Sequence, residues 1–81
     1  MKLPKDINGR KPAGLLSVHG YKITRQTGSH IRLTTTSHGP EHHITIPDHN
    51  PLKTGTLSRI LRDVAAYLEM DKQALIQALF G

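Results

Sequence analysis

The chain has 81 residues, which fits one small domain spanning 1–81 and excludes a second. Such a chain buries only roughly 60% of the surface its unfolded form exposes, so a deep, dry substrate chamber is excluded too. Having no cysteine, it has no disulfide scaffold, thiolate zinc site or cysteine nucleophile, and eleven Lys and Arg against six Asp and Glu give a net charge of +5 that calls for an acidic partner, most often nucleic acid.

Met1 to Ile7 shows no period and reads as a lead-in, and Met1 to Pro4 lacks the apolar core of a signal peptide. Asn8 is placed to cap a helix running toward His19, with Gly20 free to take the left-handed conformation that ends it. Pro12 costs ~3 kcal/mol in a helix interior but not in a first turn, which permits a start as late as Pro12.

Three short segments then alternate at period 2. In Tyr21 to Thr27, Tyr21 and Ile23 share the core face while Lys22, Thr24 and Gln26 point the other way, and Thr27-Gly28 reads as the hairpin turn. From Ser29 to Thr35, Ile31 and Leu33 face inward and His30, Arg32 and Thr34 outward. After a turn at His38-Gly39-Pro40, Ile44 and Ile46 point inward, with His43 and Thr45 outward. The loops are too short for parallel crossovers, so the strands form an antiparallel meander.

Pro47 to Pro51 is a loop, too rich in prolines and turn formers to extend the strand. Leu57, Ile60, Leu61, Val64 and Leu68 make one apolar helical stripe, and Asp71 caps a last helix in which Leu75 meets Leu79 and Ile76 meets Phe80. The expected fold is α+β: a three-stranded antiparallel sheet with helices on one face, in the order α-β-β-β-α-α. No apolar run approaches about 18 residues, so no membrane span and a cytoplasmic location are expected.

The face of the sheet away from the helices then displays Lys22, Thr24, Gln26, His30, Arg32, Thr34, His43 and Thr45, with no carboxylate among them. Cations release condensed counterions and hydroxyls donate to phosphate oxygens, so the face suits a nucleic-acid backbone as well as plain solvation. Aromatic residues are only 4% of the chain, which leaves no stacking platform for single strands. Arg25-Gln26-Thr27-Gly28-Ser29-His30 is the most suggestive stretch. A histidine after a glycine turn, flanked by Arg25 and Arg32, exchanges a proton near neutral pH while the arginines hold a phosphate. RNA cleavage by attack of a 2′-hydroxyl needs this set and no metal, although a surface histidine beside a hairpin looks the same in sequence. Lys53, ahead of Thr54-Gly55-Thr56, lies near a helix start where backbone N–H groups favour phosphate. His38, His42, His43 and His49 raise a zinc site, but adjacent His42 and His43 on a strand point to opposite faces, so no metal and no cofactor is expected.

Gly20-Tyr21, Arg25-Gln26 with Gly28-Ser29-His30, His43-Ile44-Thr45-Ile46-Pro47 with His49, Leu52-Lys53, Gly55-Thr56-Leu57 and Ile60-Leu61 together resemble the HicA toxins of bacterial type II toxin-antitoxin systems. The likeness runs from about residue 3 to residue 81. It implies a double-stranded-RNA-binding-domain-like fold, endoribonuclease activity on mRNA and neutralisation by a HicB-like antitoxin. It also places the family's catalytic histidine on His30, with Gly28 and Ser29 as its neighbours. The expected function is a metal-independent mRNA-cleaving toxin in which His30 is the catalytic residue, Ser29 orients it or the phosphate, and Lys22, Arg25, Arg32 and Lys53 hold the backbone. A non-catalytic RNA-binding module of the same fold is the alternative, and His43 is the best-placed second proton-transfer group if it shares the outer face.

Overall fold

The computed structural model describes residues 3–81, so the lead-in expected over Met1 to Ile7 lies partly outside the described residues. The elements are α1 (Arg10–Ser17), β1 (Lys22–Thr27), β2 (His30–Thr35), β3 (His42–Pro47), α2 (Thr54–Leu68) and α3 (Lys72–Phe80). The three strands are antiparallel in the order β1-β2-β3, and the helices lie on one face. This is the α+β arrangement and element order read from the sequence. Extents of 32 × 31 × 18 Å describe a slab two layers thick.

Helix α1 begins one residue past the expected cap, with Gly9 as the N-cap residue and Asn8 before it supplying the side-chain acceptor. Asn8 Oδ1 accepts from the backbone N–H groups of Arg10 and Lys11 at 3.0 and 3.1 Å, satisfying two donors that no earlier turn can reach. Pro12 falls within the first turn, and the Asn8 carbonyl that its missing N–H would have met accepts from Lys11 instead. The helix ends at Ser17, short of His19, and the chain leaves through Gly20 at φ +95°.

The stripe of α2 is wholly buried: Leu57, Ile60, Leu61, Val64 and Leu68 pack with Ile31, Leu33, Ile44 and Ile46 of the sheet in one core. Each such side chain contributes about 1.5–3 kcal/mol on leaving water. Asp71 caps α3 by accepting from the Ala74 N–H at 3.1 Å, and Leu75, Ile76 and Leu79 complete the core. Helix α1 underlies β1 and β2, α2 underlies β3, and α3 packs against α1 and α2.

Strand β1 departs from strict alternation. Its pairing with β2 runs Lys22 to Thr34 and Ile23 to Leu33, then shifts at Thr24 so that Arg25 meets Arg32, Gln26 meets Ile31 and Thr27 meets His30. One extra residue in one strand is a β-bulge, and it reverses the phase of everything beyond it. Gln26, expected on the outer face, therefore lies on the helix side, and Arg25 moves to the outer face. Ile23 does face the helix side, but as part of an edge strand it stays 55% exposed. The hairpin loop is Gly28-Ser29, one residue beyond the expected Thr27-Gly28, with Gly28 at φ +56° supplying the positive angle that a two-residue turn requires.

The start of α1 is tied to the end of β3. The Gly9 N–H donates to the His49 carbonyl at 3.1 Å, the Arg10 guanidinium pairs with Asp48 at 3.1 Å, and a methyl on Gly9 would overlap the Pro47 carbonyl. Gly14, by contrast, has nothing within 4 Å of where a Cβ would stand. Gly9→Ala is therefore expected to destabilise by about 1–3 kcal/mol through overpacking. Gly14→Ala should stabilise by up to about 1 kcal/mol through helix propensity. Urea denaturation of both variants checks the pair, and a neutral Gly9→Ala would contradict the close approach.

Candidate nucleic-acid interface

Pairing with β2 sorts the outer face of the sheet into three rows. Thr27, His30 and Pro47 form the first, Arg25, Arg32 and Thr45 the second, and Lys22, Thr34 and His43 the third, with the bulge residue Thr24 beside Thr34. Successive rows are two residues apart, about 6.6 Å. Face assignment follows from β2, where Ile31, Leu33 and Thr35 are buried while Arg32 and Thr34 between them are partly exposed.

His30 stands in the first row, exposed, next to the Gly28-Ser29 loop. No hydrogen bond ties its imidazole to any described residue. The loop is held in place by its backbone, since the Ser29 carbonyl accepts from the Asp48 N–H at 2.6 Å. The Ser29 hydroxyl makes no bond to another described residue.

In the second row the bulge sets Arg25 directly opposite Arg32, and neither guanidinium has an acidic partner among the described residues. Like charges facing each other across a strand pair destabilise a sheet. An anion lying between them would remove that repulsion, and two forks of five donors each match phosphate geometry.

The third row contains a hydrogen-bonded chain. Thr24 Oγ1 lies 2.9 Å from Thr34 Oγ1, Thr34 Oγ1 lies 2.8 Å from His43 Nδ1, and His43 Nε2 lies 2.7 Å from Glu41 Oε1. The expectation of an outer face without a carboxylate is thus corrected. Glu41 precedes β3 and no alternation rule covers it, yet its side chain reaches back over His43. His43 does share the outer face with His30, but Thr34, its cross-strand partner, is four residues from His30 along β2, about 13 Å. That separation rules His43 out as a second proton-transfer group at the same phosphate. Lys53 is the N-cap residue of α2 and belongs to none of the three rows.

The other histidines of the strand region serve the inner face. His42 stacks on Tyr67 with ring centroids 4.7 Å apart and shares a 2.8 Å hydrogen bond with the Tyr21 hydroxyl, while Tyr67 accepts from the His38 N–H at 3.1 Å. His42 and His43 thus point to opposite faces. No group of three or more metal-ligating side chains exists among the described residues. A groove of about 370 Å³ between α1 and the sheet, lined by Arg10, Ala13, Gly14, Ile23, Gln26 and Ile31, lies on the helix side and holds no acid-base pair.

A small α+β domain with a cationic, solvent-facing sheet is the class these features define. The family model for the HicA toxin of bacterial toxin-antitoxin systems matches residues 9–65, and the chain belongs to that family. No curated protein and no solved structure matched the chain. Membership makes the protein a toxin and implies an antitoxin partner. Among the described residues no helix is long and apolar enough to cross a membrane.

Two outcomes follow. Arg25→Thr is expected to stabilise the free protein by about 0.2–1 kcal/mol by relieving the arginine pair, more at low salt than at high, and urea midpoints at two salt concentrations measure it. Burial first, then the nearby Tyr67 and Asp63, pushes the Tyr21 phenol from 10.0 up to about 12. The folded state keeps that proton after the unfolded chain has lost it, so stability holds below pH 10 and declines between pH 10 and about 12. Tyr21→Phe should flatten that decline in a pH series of denaturation curves.

Proposed function

We propose that the protein is a single-domain, cytoplasmic endoribonuclease toxin that cleaves mRNA without a metal, uses His30 as its catalytic residue and is held inactive by a HicB-like antitoxin. The observation that carries the proposal is the juxtaposition of an untied, exposed His30 with an opposed Arg25–Arg32 pair one row away. A scissile phosphate bound by the two guanidiniums lies within reach of the imidazole. His30 takes the proton of the 2′-hydroxyl as that oxygen attacks phosphorus. Negative charge gathers on the phosphate oxygens in the transition state, where Arg25 and Arg32 stabilise it. The bond to the 5′-oxygen then breaks, leaving a 2′,3′-cyclic phosphate. Solvent protonates the departing 5′-oxygen, because no second titratable side chain shares the row of His30.

Lys22 extends the cationic surface at the third row, Ser29 supports the histidine or the phosphate at the loop, and Lys53 is an outlying contact for a longer strand. An antitoxin that covers the hairpin would block the first row, and with it His30.

The decisive experiment pairs cleavage with binding. His30→Ala is expected to reduce mRNA cleavage about 10² to 10⁴-fold, to abolish toxicity on induction, and to leave the denaturation curve unchanged because the residue supports no core contact. Cleavage should continue in strong chelator. On an uncleavable 2′-methoxy RNA, Lys22, Arg25 or Arg32 to Gln should each lower the slope of log K against log salt by about 0.7, whereas His30→Ala should bind nearly as the parent does. Parent-level cleavage by His30→Ala would overturn the catalytic assignment. RNA binding with no cleavage by the parent would favour a non-catalytic binding module.

A further inference from the structure

The third row differs in chemistry from the two beside it. Arginines offer only hydrogen-bond donors, so apart from the Thr45 hydroxyl the second row presents donors alone. In the chain Thr24–Thr34–His43–Glu41 the side chains already engage one another. The Glu41 carboxylate, 2.7 Å from His43 Nε2, accepts from that nitrogen, and His43 Nδ1 lies 2.8 Å from the Thr34 hydroxyl. The Thr34 hydroxyl in turn lies 2.9 Å from that of Thr24, which also donates to the Arg32 carbonyl at 3.5 Å. What remains open on the β3 side of the row is chiefly an acceptor, the second oxygen of Glu41, whose side chain is 59% exposed. Lys22, opposite Thr34 on the β1 side, is the row's one ordinary donor.

A carboxylate repels phosphate and accepts from N–H groups. On a face whose other rows suit a phosphate backbone, an acceptor-only patch two rows from His30 suits the part of a nucleotide that carries donors. We propose that Glu41, oriented by His43 and the Thr34–Thr24 hydroxyls, forms a nucleobase subsite that accepts from the exocyclic amino group of a base and so discriminates against uracil. This inference rests on the RNA-binding face proposed above and adds a specificity-determining residue that lies outside the catalytic row. Cytosine and uracil share one ring shape, but cytosine presents an N4 amino donor where uracil presents a carbonyl, which would face Glu41 acceptor to acceptor. With about 13 Å between the two positions along β2, the base in question belongs to a nucleotide flanking the cut rather than to the one being cut.

The test compares 2′-methoxy octamers of cytidine and of uridine by fluorescence anisotropy, for the parent and for Glu41→Gln. The 2′-methoxy group removes the ribose donor, so any preference that survives belongs to the base. The parent is expected to bind the cytidine octamer about 10-fold more tightly, and Glu41→Gln, whose amide both donates and accepts, should narrow the ratio to about 2-fold or less. An unchanged urea midpoint will show that the variant is folded, as an exposed loop side chain predicts. Equal affinity of the parent for the two octamers, or a preference that Glu41→Gln leaves intact, overturns the subsite. Binding to neither octamer overturns both the subsite and the RNA-binding face. A cytidine preference in a parent that cuts no RNA supports the subsite and overturns the ribonuclease.

Discussion

One extra residue in β1 governs the chemistry of the sheet. Without the bulge at Thr24, strict alternation would send Arg25 toward the helices and Gln26 outward, leaving Arg32 alone on the open face. The bulge brings a cost of its own, the repulsion of two facing arginines. The local conformation of a single threonine thus decides which face carries the charge, and the Thr24 hydroxyl, held against Thr34, fixes the bulge to the third row.

Much of this was legible in the sequence. The stripe from Leu57 to Leu68 and the alternation of Ile31, Leu33, Ile44 and Ile46 define the core directly, because helix and strand periods differ and both segments keep theirs. Asn8 and Asp71 announce helix starts through side chains that suit little else. The bulge was not legible, since Tyr21 to Thr27 reads as an unbroken alternation and the shift arises only when the strand is laid against β2. Glu41 was hidden for a similar reason. It lies outside the strand, and its approach to His43 depends on how the chain leaves the turn at Gly39-Pro40. The one available signal was a carboxylate two residues from a histidine at a strand entrance, which is weak without coordinates.

The two sides of the sheet divide the histidines by task. His42 is spent on packing, wedged between Tyr21 and Tyr67, where it joins β3 to α2. His30 and His43 face solvent, one untied and one held by a carboxylate. Adjacent residues 42 and 43 therefore do unrelated work, and their proximity in sequence carries no information about a shared site. A slab this thin has room for a core on one side only, so everything that meets a ligand through the sheet has to be built on exposed strand positions, where rigidity comes from the ladder beneath.

The free edge of β1 bears on how the protein behaves alone. All six residues of this strand are exposed and its outer backbone groups have no neighbouring strand, the arrangement that ordinarily invites a second chain to add on and spread into aggregates. Lys22 and Arg25 work against that outcome, since charged side chains on an edge strand disfavour the addition of a second chain. The same charges that make the outer face of the sheet cationic thereby act as gatekeepers for colloidal stability.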